Sequence, residues 1–456
     1  MSATHEVQNW SGNQRCVPES IVVASSTATV AGLAARASSR RSRLKAIGAG
    51  HSFTAAAMTD GTLVRLDGLD AVESLDPATG VAVVGAGITL HRLSRELDER
   101  GRALPNLGDI DVQTVAGATS TATHGTGRRH GNVSTGIVGF EIVTGAGEAL
   151  WCDASTEPEL FRFGRVGVGA LGIVTRVAIA TVPAFNLRAR ESGEPVDGIL
   201  DDWAGFRASA DHPEFFWLPG SPLALVKRND RTTEPIEPLS RARFLTDKIL
   251  KENVAFGLSQ RLVRRFPATR DRVARTIAAS VAPSERVDKS FRVFASPRRV
   301  KFLESEYGVP VDALPEAFAR VRRLAESLDL PPAFPVEVRC SRGDDIPLST
   351  AHGRDTGWIA VHQYVGMPYG DYFRGVEAIM ADYEGRPHWG KHHTLGAGHL
   401  AARYPEWEGF VELRARLDPH GIFANDYLDR CLGPVGARGG GRGAVPAPST
   451  PRSSSR

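Results

Sequence analysis

The run Lys45-Ala46-Ile47-Gly48-Ala49-Gly50-His51-Ser52-Phe53 places two glycines, spaced by one alanine, directly before an imidazole. Ala46 and Ile47 read as the end of a short strand. Gly48 and Gly50 accept backbone angles other residues avoid and let a ligand approach the main chain. Successive backbone N–H groups in such a turn, from Ile47 through Ser52, form a concave anion seat. His51 at its lip is a nucleophile, so the stretch suits a tightly held nucleotide cofactor. It is not the dinucleotide fingerprint: Phe53 stands where the third glycine would fall, and no helix pattern follows. A second Gly-x-Gly, at Gly85-Ala86-Gly87, has Leu90 in that place and reads as a strand-to-helix turn.

A second group of residues lies near the other end. Pro335-Val336-Glu337-Val338-Arg339-Cys340 reads as a strand, whose side chains alternate faces. Val336, Val338 and Cys340 then face a core, while Glu337 and Arg339 share the opposite face. Such a carboxylate and guanidinium can grip vicinal sugar oxygens bidentately; the plainer reading is a salt bridge on a half-exposed strand. On the strand Trp358 to Val365, His362 shares a face with Ala360 and Tyr364, where it is either packed or catalytic. In His388-Trp389-Gly390-Lys391-His392-His393 the neighbouring imidazoles diverge on a strand or a helix, and no acid is near. We assign no metal there. Lys391 is a fixed cation able to stabilise developing negative charge.

The elements that must position these residues follow from the pattern of the chain. Ser20 to Ala24 reads as a strand, then a helix capped by Thr27 or Thr29 with Val30, Leu33, Ala34 and Ala37 inside. Lys45 to Ile47, Leu63 to Leu66, Val72 to Leu75 and Val81 to Val84 read as strands, and Thr89 caps a helix stopped by Gly101. This order predicts one compact α+β unit of the first ~100 residues. Leu104 to Gly136 is poor in helix signals and rich in small and hydroxyl residues, which suits contact with a polar ligand. Strands at Val138 to Thr144 and Ala149 to Cys152 follow, then a helix from Ser155 or Thr156. Residues 184–330 read as mostly helical with short strands, one at Glu214 to Leu218; Ser240 to Ala282 carries helical spacing with a solvated basic face.

The 456 residues, 42% hydrophobic and 23% charged, allow two domains and a large core. Cys16, Cys152, Cys340 and Cys431 show no short pairing, which suits a reducing cytoplasm. Met1 to Trp10 has no apolar signal core, and no apolar run of about 18 residues exists to span a bilayer. The net charge of +3 rests on four arginines in residues 434–456, so the folded part carries no nucleic-acid footprint. That Gly, Pro, Ser and Arg tail reads as disordered.

Three of these runs resemble the FAD-binding domain of the vanillyl-alcohol oxidase superfamily: Ile47 to Phe53, Thr123-His124-Gly125-Thr126-Gly127 and Gly169-Ala170-Leu171-Gly172-Ile173-Val174. A fourth, Arg386-Pro387-His388-Trp389-Gly390-Lys391, resembles the signature of its sugar-1,4-lactone oxidase and alditol oxidase branch. The resemblance covers about residues 8–433. It implies an α+β fold with a VAO/PCMH-type FAD-binding domain over residues 10–183 and a cap of mixed sheet and flanking helices over 184–433.

It also implies FAD attached covalently through His51 to the flavin 8α carbon. Thr114, Gly117, Thr121, His124, Ile173 and His388 would contact FAD. Asp109, Glu337, Arg339 and His362 would face the substrate, with Lys391 a fixed cation near the pyrimidine edge of the flavin. The family's alditol oxidases carry serine at the position of Asp109 and threonine at that of Tyr364. Those departures lean away from open polyols and imply a narrower pocket.

The implied reaction is oxidation of an aldono-1,4-lactone at its C2 alcohol, giving a keto-lactone that enolises to an ascorbate-type acid. Either His362 or Glu337 is the base. An alditol oxidase is the alternative in the same class, and a non-catalytic flavin-binding protein using the basic tail is the alternative outside it. The electron acceptor is O2, or a quinone or cytochrome. In the superfamily one position beside the flavin gates oxygen; it matches Gly108, which has no Cβ and favours an oxidase. A cytoplasmic location follows, with peripheral attachment to a membrane left open.

Overall fold

Ser20–Val23, Thr62–Arg65 and Leu44–Ile47 form a parallel three-stranded sheet with Thr62–Arg65 in the middle. The computed structural model describes residues 6–237, 255–279, 282–329 and 332–435. The helix Thr27–Arg40 buries Val30, Leu33, Ala34 and Ala37, the positions its periodicity predicts. Its cap is Ser26 rather than Thr27 or Thr29, and the Ser26 hydroxyl accepts from the Thr29 N–H. Thr89 caps the helix Leu90–Glu99 as expected, and Gly101 follows with φ +71°. The short helix after residue 155 begins at Pro158, with Glu157 as its cap residue in place of Ser155 or Thr156.

The first hundred residues do not form one unit. Val72–Leu75 and Val81–Gly85 leave the parallel sheet and join an antiparallel one, in the order Ala149–Asp153, Ile137–Val143, Ile173–Ala180, Val81–Gly85, Val72–Leu75. An apolar run declares a strand but not its partner, and here the partner, Ile173–Ala180, comes much later in the chain. The segment from Leu104 to Gly136 is also not bare loop. It holds the helix Val115–Ser120, capped by Thr114, and most of it is buried.

The cap is built on an eight-stranded antiparallel sheet. Its order is Ser284–Lys289, Asn186–Pro195, Leu223–Thr232, His212–Trp217, Val336–Ser341, Thr356–Tyr364, Phe302–Pro310, Arg386–Pro387. The expectation of a mostly helical 184–330 is therefore corrected. Asn186–Pro195 and Leu223–Thr232 are ten-residue strands whose charged side chains pair across the ladder, as in Arg190–Asp230 and Arg228–Glu194. Their polarity hid them. Helices do occur at Phe256–Arg265, Arg270–Ala279 and Leu314–Ser327; residues 240–254 and 280–281 of the predicted basic helical stretch lie outside the described residues, as does the tail from 436 on.

Leu314–Ser327 and Gly370–Ala381 pack on each other and against the strands Thr356–Tyr364 and Phe302–Pro310. The end of the chain returns to the first sheet: Ile422 and Phe423 join the core of Val30, Leu44 and Val64, and the Leu44 N–H donates to the Ile422 carbonyl at 2.7 Å. All four cysteines are free thiols. Among the described residues no helix is long and apolar enough to cross a membrane.

Candidate active site

Two adjoining cavities hold every candidate residue. The first, with about 1160 Å³ of empty volume, lies over Ile47, Gly48, Ala49, Gly50, His51, Ser52, Thr114, Gly117, Thr121 and Ile173. The second, about 1010 Å³, lies between that turn and the cap sheet; Gly108, Asp109, His124, Glu337, Arg339, His362, His388 and Lys391 line it. His51, Ser52, Gln113 and Thr121 line both.

The glycine turn fits the phosphates of FAD. Among the described residues no group accepts from the backbone N–H of Ala49, Gly50, His51 or Ser52. Gly50 sits at φ +69°, and a Cβ at Gly48 would come within 2.3 Å of Thr114 Oγ1. The turn's far end is pinned to the cap: the Phe53 N–H donates to the Gly390 carbonyl at 2.7 Å. His51 stacks on Trp10 with ring centroids 5.3 Å apart. Burial, then the Lys391 charge, pulls its pKa down to about 4, so the imidazole is neutral.

In the second cavity Arg339 is the hub of a buried ion cluster. Its Nε donates to Glu214 at 2.8 Å, and its terminal nitrogen bonds Asp109 and lies 2.5 Å from Glu337. Asp109 also receives Arg298 at 2.6 Å, and Lys227 stands 3.4 Å from Glu214. Protein carboxylates thus already engage the Nε and one terminal nitrogen of the guanidinium. Burial pushes Asp109 up, but Arg339, Lys227 and Arg298 together hold it well below the usual carboxylate range. Asp109, Glu214 and Glu337 converge closely enough to ligate a cation, but Arg339 occupies their focus.

Glu337 differs from its neighbours. Its Oε1 makes no hydrogen bond although Arg339 lies within ion-pair distance, because the guanidinium N–H groups point at Asp109 and Glu214. Burial raises its pKa, Arg339 lowers it, and Asp109 and Glu214 raise it again, leaving it at about 7.

On the same face of the sheet, two strands away, lie two carboxylates that the sequence reading did not single out. Glu304 and Glu306 sit two apart on Phe302–Pro310 and share one face of the strand. Lys391 lies 2.5 Å from Glu304, and His362 Nε2 lies 3.5 Å from it. Burial raises Glu304, and Lys391 and His362 then hold it down at about 2. In return Lys391 is raised against the cost of burial, chiefly by Glu304 and then Glu306. His362 Nδ1 faces the Pro335 carbonyl at 2.8 Å, and despite burial Glu304 raises its pKa. Both ring nitrogens thus face protein acceptors, and the Glu304 charge favours the protonated ring. Glu306 meets His124 Nε2 at 3.0 Å, and His124 stacks on Trp358 with centroids 3.6 Å apart. The signal for this pair was two acids alternating with Leu303, Ser305 and Tyr307 on an otherwise apolar strand.

The three nearby histidines diverge. His388 Nδ1 accepts from the Gly390 N–H at 3.0 Å, His392 packs by Tyr369 and Phe373, and His393 faces the Tyr427 hydroxyl at 3.0 Å. Tyr364 does not narrow the cavity. It ends its strand beyond the rim, under the Arg264 guanidinium.

A family model described as D-arabinono-1,4-lactone oxidase matches residues 177–431, and one described as an FAD binding domain matches residues 18–153. L-gulono-1,4-lactone dehydrogenase of Mycobacterium tuberculosis is 42% identical over 93% of this chain and 99% of its own length. The chain belongs to the D-arabinono-1,4-lactone oxidase family. Bovine L-gulonolactone oxidase is 31% identical over 93% of this chain and 97% of its own. Among solved structures, cholesterol oxidase from Brevibacterium sterolicum superposes with a TM-score of 0.79 over 94% of this chain and 96% of that one; at 16% identity it is similar in fold alone. The fold is thus α+β with an FAD-binding unit, and the chain is an FAD-dependent oxidoreductase.

Proposed function

We propose that this chain oxidises the C2 alcohol of an aldono-1,4-lactone, with Glu337 taking the hydroxyl proton. FAD, when bound across the two cavities, supplies the hydride acceptor. The observation that carries the reading is Glu337 on the wall of the second cavity, held at a pKa of about 7, in a cavity that Lys391 also lines. A base poised near neutral pH is the efficient one. Arg339 keeps Glu337 ionisable in its buried place. Lys391, fixed by Glu304, stabilises the negative charge that would develop on the hydride acceptor as the alcohol is oxidised. His362, the other candidate, has its two ring nitrogens turned to Pro335 and Glu304. The family names favour lactones over alditols. Anaerobic mixing of the flavoprotein with L-gulono-1,4-lactone and with xylitol tests this: bleaching by the lactone supports it, and bleaching by xylitol alone refutes it.

His51 is the covalent anchor in this reading. Its imidazole is neutral, and it stands where the two cavities meet. Denatured, washed protein should remain yellow, whereas His51→Ala should release all its flavin into the wash. Colour lost equally from both would refute attachment.

Oxygen is the proposed electron acceptor, reached past Gly108. A Cβ there would press on the His124 carbonyl at 3.1 Å and fill the edge of the second cavity. Gly108→Ala should slow reoxidation of the reduced enzyme in air by about tenfold or more while a quinone still reoxidises it; equal rates in air remove Gly108 as the gate.

A further inference from the structure

Lys45 lies under the first cavity, on the strand that runs into the glycine turn. Its side chain is only 2% exposed. The ammonium donates to the carbonyls of Gly169 and Phe423, each at 3.0 Å. An ammonium has three donors, so one remains.

No described carboxylate forms an ion pair with it. Asp418 and Asp429 act on it through space, and Arg414 repels it. Asp418 uses its own oxygens on the N–H groups of Ile422 and Phe423, at 2.8 and 2.9 Å. Asp429 lies 3.6 Å from Arg414. A buried charge without a partner is costly and sheds its proton more readily. Burial, then Arg414, brings Lys45 to about 7.

The protein therefore buries a cation beside a cavity and leaves its counter-charge unsupplied. What else faces that end of the cavity is donor groups: the unpaired backbone N–H groups of the glycine turn. Gly169, whose carbonyl holds Lys45, is in the left-handed region at φ +65°, and a Cβ there would stand 3.5 Å from the ammonium. A neutral ligand would leave the cation as it is; a dianion would complete the site.

We propose that Lys45 is the counter-ion of the diphosphate of the cofactor, sensing its arrival by taking up a proton. This rests on the FAD reading above. The sign of the linkage is fixed by the direction of the change. In the empty chain Lys45 is mostly neutral above pH 7 and mostly charged below it. A diphosphate raises its pKa, so binding above pH 7 takes up a proton, and FAD affinity falls as pH rises through that range.

The test uses His51→Ala protein, in which FAD binding is reversible, with and without Lys45→Met. Lys45→Met should weaken FAD binding about tenfold or more near pH 6 and leave riboflavin, which has no phosphate, unaffected. Calorimetry in buffers of different ionisation enthalpy should find uptake of nearly one proton per FAD near pH 8 and little near pH 6, and no uptake at either pH once Lys45 is replaced. With His51 intact, Lys45→Met should be purified with flavin in well under half its chains.

Unchanged FAD affinity and proton uptake in Lys45→Met would overturn the proposal. So would a lower melting temperature of the empty protein with the FAD-induced rise intact, which makes Lys45 only a tie between Gly169 and Phe423. Failure of the underlying reading is separate: the wild-type chain would then carry no flavin.

Discussion

Arg339→Met is expected to destabilise the protein by about 3–5 kcal/mol, the cost of stripping one partner from a buried ion cluster. Asp109, Glu214 and Glu337 would be left facing one another, with Lys227 still by Glu214 and Arg298 by Asp109. Urea unfolding followed by tryptophan fluorescence measures the loss, and lactone turnover should disappear with it. Asp109→Asn should be far milder, since Arg339 keeps two carboxylates. If Arg339→Met lost turnover while its unfolding curve stayed in place, the guanidinium would be a substrate ligand after all.

Glu337→Gln carries the second large effect. It removes the carboxylate that Arg339 needs least, keeps the shape, and deletes the base. Flavin reduction by lactone should slow by about 10²–10⁴-fold, the usual worth of a positioned base, with the flavin spectrum and the melting temperature nearly unchanged. A base works in its deprotonated form, so the wild-type rate should climb as pH rises through about 7 and level off above it. In Glu337→Gln that rise should be absent. A rise that survives the substitution assigns the base to another group, with His362 first in line.

What was legible in the sequence was local. The glycine turn declares itself because Gly50 stands at φ +69°, where side-chain-bearing residues are rare, and His51 follows at once. The alternation Val336-Glu337-Val338-Arg339 correctly puts the acid and the base on one face. The partners of that pair were not legible. Arg339 meets Asp109 and Glu214 from distant parts of the chain, and pairing at such separation leaves no periodic mark. The same reason split the first hundred residues between two sheets. Glu304 and Glu306 were visible as a period-2 pair, but acids on a strand usually face water, and here Lys391, His362 and His124 from distant parts of the chain partner them instead. Asn186–Pro195 and Leu223–Thr232 fall in a stretch whose sequence reads as mostly helical, because charges that pair across the ladder interrupt the apolar alternation of a strand.

The central claim is that a sugar lactone reduces this flavoprotein through Glu337. The measurement that meets it most directly is anaerobic stopped-flow mixing of wild type and Glu337→Gln with L-gulono-1,4-lactone, across the pH range around 7, watching the visible flavin band. The account predicts that wild type bleaches in one fast phase that quickens with pH, and that Glu337→Gln bleaches orders of magnitude more slowly at every pH. Equal bleaching of the two proteins, or no bleaching of wild type by any aldonolactone, would contradict it.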